Sequence, residues 1–344
     1  MFFKAAILRE FLQPLDIVEL QVPKLRPGQV LVRIKCAGLC GAQIREITGA
    51  KGPDPYLPHM LGHEGSGIVE EVGAGVSKVK PGDFVVCHWR KGSGMEAQAP
   101  RYKLLKSGDG LIGGGPVATF GEMSVASENR LTVVPNDIPA DVAALFGCAL
   151  TTGFGAVINE AQVKPGESVL VIGAGGVGLC AIQGASISGA FPVVAIDIKE
   201  ENLRCAYNVG ANGCELPTAI GIQPADVVIE TTGIPDMIHK ALEWTKPGGR
   251  LILVGQPVIG LPVYFDDFRR HYVGKTIMDS QGGSCFPDRD IPRYLNLYRA
   301  GKLRLGAMMV HYNGIETINS AISDLQNGEV SGRCIIYMGG TTDA

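Results

Sequence analysis

The pattern of apolar and polar positions changes along the chain and predicts two different kinds of structure. From Lys4 to about Val86, short apolar or alternating runs are separated by turn signals such as Pro27-Gly28 and Pro81-Gly82-Asp83. Such runs predict β-strands with little helix between them, and therefore a β-barrel-like body. Residues 87–121 carry several glycine breaks and are expected to form a long irregular excursion.

The second kind of pattern alternates apolar strands with helical stretches. The expected strands are Val169–Ile172, Val193–Ile196, Asp226–Glu230 and Arg250–Val254, with helices at about Glu201–Val209 and Met237–Thr245. This alternation predicts a parallel, doubly wound α/β sheet. A helix is expected before it, over Ala140–Val157. Beyond about Gly282, two helical stretches and a strand over Cys334–Met338 need not belong to the sheet.

The first expected strand of that sheet runs into a glycine-rich turn, Gly173-Ala174-Gly175-Gly176-Val177-Gly178. In a dinucleotide-binding motif, Gly173 would form the turn, Gly175 would let the backbone approach a pyrophosphate, and Gly178 would let the helix lie close to its strand. Gly176 and Val177 begin a helix whose unpaired N–H groups attract phosphate. The alternative is a plain glycine-rich crossover turn.

An acidic residue stands where such a motif needs one. Asp197 follows the second strand at about the 20-residue offset expected of the carboxylate that accepts the ribose hydroxyls. Because a carboxylate there repels a 2′-phosphate, the sequence predicts NAD rather than NADP as the cofactor.

Length and charge narrow the class of protein. A chain of 344 residues fits two domains, and its net charge of −3 argues against a nucleic-acid surface or a polybasic membrane patch. No window approaches the ~20 apolar residues of a membrane span. The chain has nine cysteines, an odd number without regular spacing, which argues against a secreted disulfide scaffold. We therefore expect a cytoplasmic protein that acts on a small molecule.

Four residues could form a metal site: Cys40, His63, Glu64 and Cys148. Zinc prefers thiolate, imidazole and carboxylate ligands, and a catalytic zinc leaves one position open. The spacing alone decides little, because free cysteines are usually small buried hydrophobes and a single histidine is often structural.

Several segments resemble the medium-chain dehydrogenase/reductase family, in particular its zinc-dependent alcohol and polyol dehydrogenases. Gly38-Leu39-Cys40-Gly41 is similar to the family's first ligand motif, and Gly62-His63-Glu64-Gly65 to its signature stretch. Cys148 before Thr151-Thr152-Gly153 matches the third ligand, and the turn from Gly173 with Asp197 matches the cofactor motif. The resemblance covers nearly the whole chain.

The resemblance implies an α/β protein with two domains. A GroES-like β-barrel catalytic domain would be formed by residues 1–149 and 282–344. A Rossmann NAD-binding domain with a doubly wound parallel sheet would be inserted between them, at residues 150–281. It implies that Cys40, His63 and Cys148 bind one catalytic Zn²⁺, with Glu64 as a fourth ligand or a close neighbour. Thr152 would lie against the nicotinamide. Arg333 is a weaker candidate for the pyrophosphate, with a solvated surface arginine as the alternative.

The sequence departs from the family at three places. The excursion that carries four closely spaced cysteines in many members holds only Cys87, so we expect no structural zinc. Ala42 replaces a hydroxyl residue that begins the proton path, and Gln43 replaces an aspartate that hydrogen-bonds the histidine ligand. A neutral partner should make the imidazole a weaker zinc ligand.

The segment after Val85-Val86 suggests a substrate wall. By resemblance, Trp89 would stack on an apolar group or a sugar, and Arg90 or Lys91 would offer a cation to an anionic group; the alternative is a solvated basic turn. Together these features predict a zinc-dependent oxidoreductase that moves a hydride between NAD(H) and an alcohol or carbonyl compound. We expect the substrate to be a secondary alcohol of a polyol or sugar, with or without an anionic group, and the protein to be a homodimer or homotetramer.

Two other functions remain open from the sequence alone. One is a zinc-free enone or quinone reductase of the same fold, against which the His63-Glu64 pair and the two matching cysteines argue. The other is a non-catalytic cofactor-binding protein, which only Ala42 and Gln43 support.

Overall fold

A computed structural model describes residues 1–105, 110–264 and 273–339. The chain forms two compact units. One contains Met1–Cys148, Phe286–Arg293 and Met309–Ala344, and the other contains Ala149–Cys285 and Tyr294–Met308. Residues 265–272 and 340–344, which the sequence-based boundaries assigned to the two domains, lie outside the described residues. Those boundaries stay a proposal.

The strands in chain order are β1 (Phe2–Leu8), β2 (Asp16–Gln21), β3 (Gln29–Leu39), β4 (His59–Met60), β5 (Glu64–Val72), β6 (Phe84–His88), β7 (Arg101–Leu104), β8 (Leu111–Gly113), β9 (Met123–Ser127), β10 (Leu131–Val133), β11 (Val169–Ile172), β12 (Val193–Ile196), β13 (Gly213–Glu215), β14 (Ala225–Glu230), β15 (Thr245–Leu253), β16 (Thr276–Asp279), β17 (Met309–Asn313) and β18 (Arg333–Tyr337). The helices are α1 (Gly41–Ile47), α2 (Ala140–Leu145), α3 (Ala149–Gly155), α4 (Gly176–Ile187), α5 (Glu200–Asn208), α6 (Pro235–Glu243), α7 (Pro287–Arg299) and α8 (Ile318–Asn327). None of the described helices is long and apolar enough to cross a membrane.

The unit that contains the first strands is built from a closed barrel and a second sheet. The barrel follows the order β1-β2-β7-β8-β4, and the second sheet the order β10-β6-β5-β3-β18-β17, with β9 on β3. Buried apolar side chains such as Phe3, Tyr102 and Ile112 form one core cluster. The β-barrel-like body that the sequence predicts is therefore present, and strand β18 near the chain's end pairs with β3.

The prediction of an irregular excursion over residues 87–121 is wrong in part, because β7 and β8 complete the barrel there. Tyr102 on β7 is fully buried, and its hydroxyl accepts a hydrogen bond from the N–H of Val125 at 2.9 Å. The short strands carry few apolar residues, so their pattern is weak in the sequence. The first part of the excursion is held by Glu128, whose carboxylate accepts the N–H groups of Met95 and Lys78 at 2.6 Å each.

The other unit contains the parallel sheet. Six of the described strands form it in the order β13-β12-β11-β14-β15-β16, and each neighbouring pair runs parallel. Strand β11 is buried along its length, which explains why its sequence is a continuous apolar run, and every residue of β14 except Asp226 is buried. The doubly wound sheet is confirmed, with helix α4 directly after β11.

The expected helix over Ala140–Val157 is interrupted, and this prediction is wrong. Helix α2 ends at Leu145, and α3 begins at Ala149. A Cβ on Gly147 would lie 2.3 Å from the carbonyl oxygen of Cys87, so only glycine permits this close approach of the chain to β6. The interruption places Cys148 in a short non-helical segment.

Candidate metal and dinucleotide sites

Strand β3 leads directly into the first predicted ligand. Cys40 follows β3 as the N-cap of helix α1, with φ −100° and ψ 151°, and its side chain accepts the N–H of Gln43 in a capping box. Strand β5 runs antiparallel to β3, with Ala37 opposite Gly65. His63, just before β5, is therefore brought to the same end of the sheet as Cys40.

The structure brings three of the four predicted ligands together. The Sγ atoms of Cys40 and Cys148 and a ring nitrogen of His63 all lie within 4.8 Å of one another, and His63 Nε2 is 3.2 Å from Cys148 Sγ. Both cysteines are buried and His63 is half-buried. Two sulfur atoms and one imidazole are a donor set that suits zinc, so the residues present fit this ion. Their role as ligands stays a proposal.

The two thiols of the cluster differ in acidity. A hydrogen bond from Cys148 is the largest effect that holds the pKa of Cys40 well below its usual value, and Arg333 and His63 act in the same direction. The same hydrogen bond and burial raise the pKa of Cys148 well above its usual value. The contacts of the pair therefore favour the thiolate form at Cys40, which is the form that a metal ion binds.

The fourth predicted ligand, Glu64, is engaged by Arg333. Strand β18 places Arg333 beside Cys40, because Cys334 pairs with Leu39. The Arg333 Nη2 atom lies 2.7 Å from Glu64 Oε2, and both side chains are buried. Burial works against the guanidinium charge, but Cys40, Glu64 and Cys148 together raise the pKa of Arg333.

The alternative of a solvated surface arginine is thus wrong for Arg333, which is 4% exposed. Its Nε atom is buried without a hydrogen-bond partner among the described residues. The role at a pyrophosphate stays a prediction.

The predicted substrate wall lies next to the cluster in the strand register. Glu64 pairs with His88 across β5 and β6, and Trp89 comes directly after His88 in the chain. The Arg90 guanidinium lies over the Trp89 ring, 5.6 Å from its centre. Lys91 is exposed and forms an ion pair with Glu96 at 2.6 Å, which favours the solvated-turn alternative for Lys91.

The glycine-rich turn has the geometry that a dinucleotide requires. Gly173 has φ +88°, which favours glycine. A Cβ on Gly178 would lie 1.8 Å from the carbonyl oxygen of Gly173, so the helix can approach its strand only without a side chain there. A Cβ on Gly175 would meet nothing within 4 Å. Gly176 and Val177 begin helix α4, and the first N–H groups of a helix have no partner within the helix.

Asp197 lies at the same turn. Its Oδ2 atom accepts the N–H of Ala174 at 2.8 Å, and its Oδ1 atom accepts the N–H of Lys199 at 2.9 Å. Thr152, on α3 of the same unit, is buried, and its hydroxyl oxygen has no hydrogen-bond partner among the described residues. Both residues keep polar atoms that a bound nucleotide could use, and their roles stay predictions.

Two comparisons of the sequence agree with this geometry. The family model described as the alcohol dehydrogenase GroES-like domain matches residues 26–136, and the zinc-binding dehydrogenase model matches residues 176–300. A putative alcohol dehydrogenase D of Mycobacterium tuberculosis is 31% identical, over 94% of this chain and 97% of its own length. The chain belongs to the zinc-dependent alcohol dehydrogenases of the medium-chain dehydrogenase/reductase family. It is therefore an NAD(P)-dependent oxidoreductase of the alcohol dehydrogenase type.

Other members of this family are similar over the same length. A geraniol dehydrogenase of Castellaniella defragrans is 32% identical, with 97% of each chain covered. Among solved structures, an alcohol dehydrogenase zinc-binding domain protein from Burkholderia ambifaria is 26% identical with a TM-score of 0.89, covering 98% of this chain and 99% of its own. Benzyl alcohol dehydrogenase from Acinetobacter calcoaceticus is also 26% identical, with a TM-score of 0.87, and covers 98% of this chain and 100% of its own.

In this chain, sequence reasoning did not single out two buried polar residues, His88 and Glu230. His88 is 1% exposed; its Nδ1 lies 2.7 Å from the carbonyl oxygen of Arg90, and its Nε2 lies 3.0 Å from the Thr132 hydroxyl, so it fixes the turn that carries Trp89. Glu230 ends β14 and accepts the N–H groups of Thr232 and Gly233. A polar residue at the end of an otherwise apolar strand is the signal that could have found both.

Proposed function

We propose that this chain catalyses the NAD-linked oxidation of an alcohol, or the reverse reduction, at one catalytic zinc ion bound by Cys40, His63 and Cys148. The observation that carries the proposal is the cluster of two sulfur atoms and one imidazole within 4.8 Å. When bound, zinc supplies Lewis-acid polarisation of the substrate oxygen, and NAD accepts the hydride.

The residues around the ligands hold the charge of the site. Arg333 is the buried cation beside Glu64 and the two cysteines, so it balances carboxylate and thiolate charge that would otherwise be costly to bury. Glu64 is a neighbour of the proposed ion and is paired with Arg333.

Ala42 has no hydroxyl, so another group must take the alcohol proton. Glu64 is the candidate, and the pH profile of kcat in Glu64→Gln tests this role.

The dinucleotide is proposed to bind at the turn that begins with Gly173. The phosphates would lie over Gly175 and the first N–H groups of α4, at Gly176 and Val177. Asp197 would accept the ribose hydroxyls, which makes NAD the preferred cofactor. Thr152 would lie against the nicotinamide, and Arg333 would contribute a donor to the pyrophosphate.

The substrate is proposed to be a secondary alcohol of a polyol or sugar, with Trp89 as the wall of its pocket and Arg90 as the cation for an anionic group. The position of Trp89, one residue after the His88 that pairs with Glu64, supports this placement. The ion pair of Lys91 with Glu96 gives the anionic group less support. The competing proposal is an alcohol such as geraniol or benzyl alcohol, because two similar proteins are a geraniol dehydrogenase and a benzyl alcohol dehydrogenase.

We also propose that the active protein is a homodimer or homotetramer. Strand β16 ends the order of the described strands in its sheet, and all four of its residues are exposed. An exposed strand edge is a template for pairing with a second copy. Light scattering of the purified protein measures the state, and a monomer at assay concentration would contradict this proposal.

The test of the proposed reaction is a panel assay that follows NADH absorbance. Polyols, sugar alcohols, sugar phosphates, geraniol and benzyl alcohol are each compared with NAD, before and after treatment with a zinc chelator. We expect turnover with at least one alcohol, loss of turnover on chelation and recovery with added zinc. Turnover that survives complete removal of the metal would contradict the metal-dependent reaction. Cys214→Ala, which removes a thiol outside the cluster, should remain chelator-sensitive.

A further inference from the structure

Gln43 is a buried residue that contacts two of the proposed metal ligands, Cys40 and His63. It is 1% exposed and is the third residue of helix α1. Its Oε1 atom accepts the backbone N–H of Cys40 at 3.1 Å, which closes the capping box at the start of the helix. The amide is therefore fixed at one end by the backbone of a proposed ligand.

The other end of the same amide contacts a second proposed ligand. Gln43 Nε2 is hydrogen-bonded to His63 Nδ1. An amide offers an acceptor at one end and only donors at the other. Because the N–H of Cys40 is always a donor, Oε1 must face it, and the NH₂ group must face His63. The Nδ1 atom of His63 then has to accept.

This arrangement decides which nitrogen of His63 carries the proton. With Nδ1 as an acceptor, the proton of the neutral ring lies on Nε2, and Nε2 points to Cys148 Sγ at 3.2 Å. That nitrogen is also the one that faces the cluster. A metal ion at the cluster needs Nε2 without a proton, so the ring proton would have to move to Nδ1.

Metal binding at His63 therefore breaks one hydrogen bond of Gln43. With the proton on Nδ1, the ring N–H and the amide NH₂ of Gln43 are two donors that face each other. Rotating the amide removes this conflict but turns the NH₂ group towards the N–H of Cys40. A carboxylate at position 43 would accept from both groups at once.

We propose that Gln43 lowers the zinc affinity of this site, because its amide favours the ring tautomer that cannot bind the ion. The inference rests on the proposed metal site. Gln43 therefore makes zinc at this site exchange more readily than it would with a carboxylate at position 43. Partners that orient a ligand histidine typically change metal affinity by about 10- to 100-fold.

The test compares the zinc affinity of the wild-type chain with that of Gln43→Glu. Glutamate has the same length, accepts the N–H of Cys40 and preserves the capping box. Gln223→Glu adds the same charge at an exposed position and serves as the matched control. Affinity is measured by competition with a chromophoric zinc chelator. We expect Gln43→Glu to bind zinc about 10- to 100-fold more tightly, with Gln223→Glu unchanged.

A second measurement reads the ring directly. Nitrogen NMR of ¹⁵N-histidine-labelled, metal-free protein reports which ring nitrogen of His63 is protonated, with the signal assigned from the His63→Gln variant. We expect the proton on Nε2 in the wild type. The inference would be overturned by a proton on Nδ1. It would also be overturned if Gln43→Glu bound zinc no more tightly than the wild type, and neither result would affect the proposed metal site. Failure of both proteins to bind zinc would overturn the proposed metal site together with it.

Discussion

The proposed metal cluster and the glycine-rich turn, where the dinucleotide is proposed to bind, would each hold a ligand, but they do so with different groups. The turn from Gly173 to Gly178 is contiguous in sequence and would bind through backbone atoms. The glycines that permit this are therefore close neighbours in the sequence. The cluster joins Cys40, His63 and Cys148, which come from three separate segments and use side chains. A local motif can therefore be recognised alone, whereas the cluster needs the fold to exist.

The two regions also differ in how much change they accept. At the turn, a single added methyl group at Gly178 would lie 1.8 Å from a carbonyl oxygen. Around the cluster, the chain carries Ala42 and Gln43 where the family resemblance implies a hydroxyl and a carboxylate. The ligand set is kept while the groups that surround it differ. We therefore expect the turn to control binding of the dinucleotide and the cluster's surroundings to tune its chemistry.

The largest expected effect separates the two regions. His63→Ala removes one proposed ligand, and turnover should fall by about 1,000-fold or more because the charge stabilisation supplied by the metal is lost. Dinucleotide binding, followed by NADH fluorescence titration, should remain within about twofold, since the turn lies in the other unit. A variant that loses both properties equally would contradict the separation.

The next effect concerns His88, which supports the turn beside the cluster. Burial lowers the pKa of His88 to about 4. The folded chain therefore binds fewer protons than the unfolded chain between about pH 6.5 and pH 4, and stability falls as pH falls through this window by up to about 3 kcal/mol. Urea unfolding at several pH values measures this slope.

His88→Asn should reduce that slope, because the amide does not titrate. His239→Asn, which replaces a partly exposed histidine, is the matched control and should keep the slope of the wild type. An unchanged slope in His88→Asn would show that other groups cause the acid dependence.

A smaller effect is expected at the dinucleotide turn. Gly175→Ala places a methyl group in open space, so the fold should be preserved while NAD binding weakens by about 10- to 100-fold, a cost of about 1.4–2.8 kcal/mol. Gly178→Ala should instead lower the thermal stability, because its methyl group meets backbone. Calorimetric titration and thermal unfolding distinguish the two, and equal NAD affinity in Gly175→Ala would argue against phosphate binding there.

The smallest effect concerns the choice of cofactor. Asp197→Ser removes the carboxylate that is proposed to repel a 2′-phosphate, and the ratio of kcat/KM for NAD over NADP should fall by about 10-fold. The comparison is made at one alcohol concentration with both cofactors. A wild-type enzyme that uses both cofactors equally would contradict the role of Asp197.

The sequence predicted the parts of the molecule that depend on neighbouring residues. Strand β11 begins and ends at the predicted residues, and the apolar runs of the parallel sheet are buried as expected. The sequence did not reveal that the chain breaks at Gly147, because the reason is a contact with Cys87 on a distant strand. It also failed to place Arg333, whose burial depends on the pairing of β18 with β3.

For the candidate site, the ligand residues were predicted from the family resemblance and the supporting contacts were not. The ion pair of Glu64 with Arg333 joins residues far apart in the chain, and no local pattern indicates it. The hydrogen bonds of Gln43 are similar: the residue was identified as a departure, but the polarity of its two contacts requires the positions of Cys40 and His63.

The most direct test of the account is the zinc content of the purified protein after equilibration with zinc and removal of loosely bound metal, measured by elemental mass spectrometry. The wild type should retain about one zinc ion per chain, as a catalytic site with three protein ligands requires, and Cys148→Ala should retain almost none. Equal zinc content in the two proteins, or none in the wild type, would contradict the claim that Cys40, His63 and Cys148 form the metal centre.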